Sequence, residues 1–181
     1  MSDFQLTDHN NQPFTEEDLK GRWHLVSYGF THCPDICPST LAGLNSVLNQ
    51  VDEAQRYNNL DLLFYSVDPQ RDTPAHLADY VEFFSPRLTG LTLSGESGEN
   101  PDPFEQTLGI LYNIPETDRF GDPYPEGNYP VNHGVDIFLI NPRGELQSIL
   151  EADYNEHVMV HFSTERLFED YIAIREYLGS V

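Results

Sequence analysis

Cys33 and Cys37 are the only two cysteines in a chain of 181 residues, and they lie in Gly29-Phe30-Thr31-His32-Cys33-Pro34-Asp35-Ile36-Cys37-Pro38, where an apolar run gives way to a helix-forming one. A thiol ligates a metal or attacks a disulfide only as thiolate, and the free N–H groups and dipole of a helix N-terminus favour that charge. The junction is therefore a candidate for soft-metal or redox chemistry. As residues i and i+4, the two fall toward one side of a first helical turn, and sulfurs facing one way can chelate. Two thiolates favour Cu(I), with imidazole a common third donor. A structural zinc site would usually need four ligands. A disulfide closing so short a loop would remove little entropy from the unfolded chain.

The candidate third ligand is His133, just ahead of an apolar strand predicted over residues 135–140 and expected near the sheet centre. His9, His24 and His76 read as surface or partly packed side chains. His32 adjoins Cys33 and could tune its thiolate, although its backbone direction is expected to turn it from the metal. His157 and His161 stand four apart, but Val158-Met159-Val160 between them favours extended or loop structure, and the His-Glu-x-x-His pattern is absent. A second metal site there is the weaker reading, and Met159 reads as packing.

The elements that must position these residues alternate. Residues 23–30 read as a buried strand, 38–57 as a helix with Pro38 in its first turn, and 60–67 as a second strand, which implies a parallel crossover. Thr73-Pro74 starts a helix over 75–84; 88–93 is a short strand and 103–111 a short helix. Residues 113–132, rich in Pro, Gly, Tyr and Asp, form an extended loop insertion, read either as a cover or docking surface beside the site or as a plain surface hairpin. A hairpin, 135–140 and 145–150, turns at Asn141-Pro142-Arg143-Gly144. A last helix, 164–178, is capped by Ser163 and stopped by Gly179. This order predicts an α/β fold of thioredoxin-like type: a three-layer sandwich with a mixed central sheet flanked by helices. Asp72 and Thr73 are expected to cap the second helix, with Arg71 in an ion pair.

With 39% hydrophobic residues, the chain reads as a single domain, 1–181, with one core. No apolar stretch approaches the roughly 20 residues of a membrane-spanning helix. Asp plus Glu number 30 against 9 Lys plus Arg, a formal net charge of -21. Such a surface repels phosphate backbones and anionic lipid, so nucleic acid is excluded as a partner, while a cation or a basic protein is drawn in. The first role of that charge is solubility.

Three motifs in order, Phe30-Thr31-His32-Cys33-Pro34-Asp35-Ile36-Cys37-Pro38, then Ser66-Val67-Asp68-Pro69-Gln70-Arg71-Asp72-Thr73-Pro74, then Val131-Asn132-His133 ahead of Phe138-Leu139-Ile140-Asn141-Pro142-Arg143-Gly144, resemble the Sco/SenC family of copper-binding thioredoxin-fold proteins. The resemblance implies a metallochaperone rather than an enzyme. It would hold Cu(I), and in some members Cu(II), on Cys33, Cys37 and His133, and deliver it to the binuclear copper centre of cytochrome c oxidase during assembly. The partners implied are the copper-receiving subunit, a copper-donor chaperone and a thiol reductant. Asn132 stands where the family usually has Asp, which removes a charge beside the imidazole. The alternative is a thiol-disulfide oxidoreductase acting through Cys33 and Cys37 on cysteines of the copper-receiving subunit. The family faces the periplasm or the mitochondrial intermembrane space on a membrane anchor. This chain, opening at Met1-Ser2-Asp3-Phe4, is expected to be the periplasmic part of a bacterial protein of that kind.

Overall fold

A computed structural model describes residues 3–93, 102–154 and 160–179. Its centre is a pair of parallel strands, β3 (Trp23–Gly29) and β4 (Leu60–Ser66), aligned from Trp23 opposite Leu60 to Gly29 opposite Ser66; β1 (Gln5–Asp8) and β2 (Pro13–Thr15) precede them in the chain. Every residue of β3 is buried, as expected of a strand covered on both faces. The connection between them is α1 (Ile36–Ala54), whose buried residues Cys37, Leu41, Leu44, Val47, Leu48 and Val51 recur at helical spacing and make one apolar stripe. Cys37 heads that stripe. From β4 the chain passes through α2 (Pro74–Phe84) to β5 (Leu88–Leu93), again parallel.

Helix α3 (Pro103–Leu108) stops short of the expected residue 111, because Gly109 takes a left-handed conformation, φ +74°, and closes it. Then come β6 (Tyr112–Asn113), β7 (Asn132–His133), β8 (Ile137–Ile140), β9 (Leu146–Leu150), β10 (Asp153–Tyr154), β11 (Val160–His161) and α4 (Thr164–Gly179). The main sheet has the order β2-β1-β5-β4-β3-β8-β9, and β1, β8 and β9 run antiparallel to their neighbours. It is a mixed sheet, as expected. Strand β8, however, lies one strand in from an edge, not near the centre, since β9 is the last strand added on that side.

Side-chain alternation sends Leu25, Leu62, Phe64 and Leu139 to the face covered by α1, α2 and α4. Val26, Tyr28, Leu63, Tyr65 and Phe138 go to the opposite face, packed with Phe104 and Leu108 of α3 and with Ile110 and Val131 of the loops. The result is helices, sheet, then a thinner helical and loop layer. At about 25 cal/mol per Å2 of apolar surface removed from water, these two faces dominate the stabilising side of folding. Ser163 caps α4 through Arg166 N–H, and no described helix is long and apolar enough to cross a membrane. His24 departs from expectation: it is buried in β3, with its pKa pulled down to about 4 by the loss of hydration. His157 and Met159 lie outside the described residues.

Candidate metal centre

The centre forms where β3 ends and α1 begins. The helix starts at Ile36, two residues before the expected position, with Asp35 as its N-terminal flank. Cys37 is therefore inside the first turn, while Cys33 lies in the preceding turn, its N–H bonded to the Phe30 carbonyl at 3.1 Å. The sulfurs converge across a loop-to-helix junction and not along a single helical face. That junction is braced from a distance: Asp72 accepts Thr31 N–H at 2.9 Å and Ser66 Oγ–H at 2.6 Å. Asp72 thus turns away from α2, which Thr73 caps alone by accepting His76 N–H. The partner lies 41 residues from Asp72, so no local pattern announces it.

His133 comes from elsewhere. It sits on the short ladder β6–β7, where Tyr112 pairs with His133 and Asn113 with Asn132. This ladder closes the base of the 113–132 loop. The loop is pinned to the β4–α2 connection by Arg71, which donates to the Gly127 and Tyr129 carbonyls, pairs with buried Asp68 and stacks over the Tyr129 ring. Tyr129 in turn donates to Asp68 at 2.7 Å. The loop is a hairpin, but an anchored one whose base carries a candidate ligand.

One donor atom each from Cys33, Cys37 and His133 lies within 4.8 Å of the other two, and Cys37 Sγ is 3.7 Å from His133 Nε2. His133 Nδ1 is 2.5 Å from the Gly134 carbonyl, so that nitrogen donates its proton there and Nε2 presents its lone pair toward the sulfurs. This neutral carbonyl orients the ring, while Asn132 itself is exposed. Tyr28 and Phe30 stand edge-on to the imidazole, at 5.8 and 5.7 Å between centroids. Gly29 completes the cradle: a Cβ there would overlap Cys37 Sγ and reach the His133 ring at 3.4 Å. A glycine ending a strand is the one sequence signal of so close an approach.

Cys33 and Cys37 are free and only 8% and 4% exposed. The Cys37 thiol, donating to the Cys33 sulfur, and the N–H groups of Cys37 and Asp35 pull the Cys33 pKa below the ordinary thiol range, against the effect of burial. Cys37 is pushed up by the Cys33 thiolate beside it and by burial. Two soft sulfurs and one oriented imidazole, enclosed by aromatic rings, make a donor set suited to a soft monovalent metal. His32 is turned outward, 49% exposed, and is not part of this group.

The SCO1/SenC family model matches residues 1–167. The chain belongs to the SCO1/SenC family. Among its relatives, human mitochondrial "Protein SCO1 homolog" is 37% identical over 142 residues, covering 78% of this chain and 44% of the human protein. The chain thus spans about half the length of that relative. Two solved Sco structures share the fold. Arabidopsis thaliana ScoI with copper bound has a TM-score of 0.77 at 25% identity, covering 97% of this chain and 98% of the other. Yeast Sco1 with copper bound has a TM-score of 0.72 at 30% identity, covering 93% and 86%. The SCO1/SenC fold is therefore the frame in which Cys33, Cys37 and His133 meet.

Proposed function

We propose that this SCO1/SenC chain is a copper metallochaperone, holding Cu(I) on Cys33, Cys37 and His133 and handing it to the binuclear copper centre of cytochrome c oxidase during assembly. The observation that carries the reading is the convergence of two thiols and an oriented imidazole on one point, beside a strand end stripped of its Cβ. The Arabidopsis thaliana and yeast Sco structures with copper bound support the choice of metal. Two thiolates and a neutral imidazole hold Cu(I) with a net charge of -1. Three-coordination leaves room for a thiolate of the copper-receiving subunit to bind before any protein ligand departs. A copper-donor chaperone and a thiol reductant are the other partners of this scheme. Its place is the periplasm, on a protein tethered to the membrane.

A second reading rests on the unlike thiols. A low-pKa Cys33 beside a buried, high-pKa Cys37 is the arrangement of an attacking and a resolving thiol. That reading makes the chain a thiol-disulfide oxidoreductase for its copper acceptor and does not need His133.

Anaerobic Cu(I) titration against a competing chelator separates the two. We expect one tight equivalent, weakened by Cys33→Ser, Cys37→Ser and His133→Ala each by more than the roughly 10–100-fold typical of losing an outer hydrogen-bond partner. Unchanged binding in His133→Ala removes the imidazole from the site. No binding that outcompetes the chelator overturns copper delivery and leaves disulfide exchange as the function.

A further inference from the structure

Asp72 is fully buried, yet its three donors are neutral: Thr31 N–H and Ser66 Oγ on Oδ2, and Thr31 Oγ1 at 2.5 Å on Oδ1. The neighbouring guanidinium of Arg71 is committed to Asp68. A buried carboxylate without a cation is costly, and the one ion-pair contact found for Asp72 among the described residues is His32, whose Nδ1 lies 4.0 Å from Oδ1. A second imidazole completes the group. His76, in the first turn of α2, stacks on His32 with centroids 5.5 Å apart and planes 13° from parallel. One donor atom from each of His32, Asp72 and His76 lies within 4.8 Å of the other two.

We propose that His32, Asp72 and His76 form a second metal site for a borderline divalent cation, Cu(II) ahead of Zn(II), adjoining the thiolate centre. Two imidazoles and one carboxylate suit such ions. They are too hard for Cu(I) and too rich in nitrogen for Mg(II) or Ca(II), and affinity rises to Cu(II) along the first-row series. A metal about 2.0–2.2 Å from each donor needs donors roughly 3.4 Å apart. The group is slightly open relative to that, and the parts that must move are the two exposed imidazoles. The carboxylate is the fixed part. Thr31 and Ser66 hold its orientation, as outer partners of a metal ligand do, and Oδ1 has capacity for a second partner beside Thr31 Oγ1. Thr31 Oγ1 also lies 3.2 Å from His32 Nδ1, so a metal on that nitrogen takes over a contact already made. This site stands on its own residues and does not depend on what the thiolate centre does with its metal.

The test uses the full chain carrying one equivalent of Cu(I), so that the thiolates are occupied, and titrates Cu(II) anaerobically with electron paramagnetic resonance as readout. We expect one further equivalent, with hyperfine splitting from two nitrogens. His32→Ala and His76→Ala should each remove one nitrogen and weaken binding by at least about tenfold, whereas His9→Ala should leave the signal unchanged. Both imidazoles are exposed, so these variants should fold. Asp72 is less informative, because its loss also releases Thr31. Zn(II) added to the same protein should shift the ring resonances of His32 and His76 together. An oxygen-only signal, or a His76→Ala titration that superimposes on the parent's, overturns the site and leaves the imidazoles as counterions to Asp72. Failure to retain the first Cu(I) equivalent is read separately and bears on the thiolate centre alone.

Discussion

Gly29 has no side chain where Cys37 Sγ needs the space. In Gly29→Ala the added methyl must push Cys37 or the His133 imidazole aside. Overpacking of this kind typically costs 1–3 kcal/mol of stability, and here the displaced atoms are the candidate ligands. We expect Cu(I) affinity to fall at least about tenfold, in the range seen when a ligand's support is lost, with denaturant unfolding still cooperative. Competition titration beside a urea melt checks it, and parental affinity would show that the sulfur and imidazole sit elsewhere. At this scale the sequence was informative where chemistry resides in residue type. Two thiols four apart and a histidine ahead of a late strand were legible because few residues can ligate soft metal. The need for Gly29 was legible only faintly, since the overlap arises after α1 folds back onto β3. The burial of His24 depends on which strands cover it, and no neighbour in sequence records that.

The β4–α2 connection and the 113–132 loop act together as elements. Asp68 and Arg71 form a buried ion pair whose guanidinium also holds two loop carbonyls and lies between the Phe30 and Tyr129 rings. Removing one partner of such a pair leaves the other charge buried and typically costs about 3–5 kcal/mol. Arg71→Leu should lose about 3 kcal/mol by chemical denaturation, and amide exchange should accelerate selectively across residues 113–133. Uniform exchange throughout the chain would mean that Arg71 does not hold the loop. The four helices and five strands of the main sheet were readable from periodicity and caps, with ends shifted by up to three residues where local geometry decided, whereas β1 and β2 at its edge and the short ladders β6–β7 and β10–β11 had no counterpart in the sequence reading. The start of α1 at Ile36 and the closure of α3 by Gly109 are examples. The bracing of the cysteine turn by Asp72 was not readable. A capping position next to Thr73-Pro74 offers a sufficient local explanation, and only the tertiary structure shows that the side chain goes elsewhere.

Over the whole molecule, 30 acidic residues face 9 Lys and Arg, so most carboxylates have no cation of their own. Several of the cations are engaged in ion pairs: Arg22 with Asp61, Arg56 with Glu176, Arg87 with Asp52 and Arg143 with Glu145, all at or near the surface. Exposed pairs contribute little, so unpaired repulsion should govern the response to salt. We expect the thermal midpoint to rise between 10 mM and 0.5 M sodium chloride by a few degrees, at about 2–4 °C per kcal/mol for a chain of this size. A midpoint that falls would mean that the ion pairs outweigh the surplus. The three candidate ligands are anchored unequally within this body. Cys37 heads a helix of 19 residues and Cys33 follows a central strand, whereas His133 hangs from a two-residue ladder. In a centre that hands over Cu(I), such unequal anchorage dictates a sequence of bond breaking. Once an incoming sulfur has bound, the imidazole would be the first protein ligand to leave, and both sulfurs would keep their hold after it.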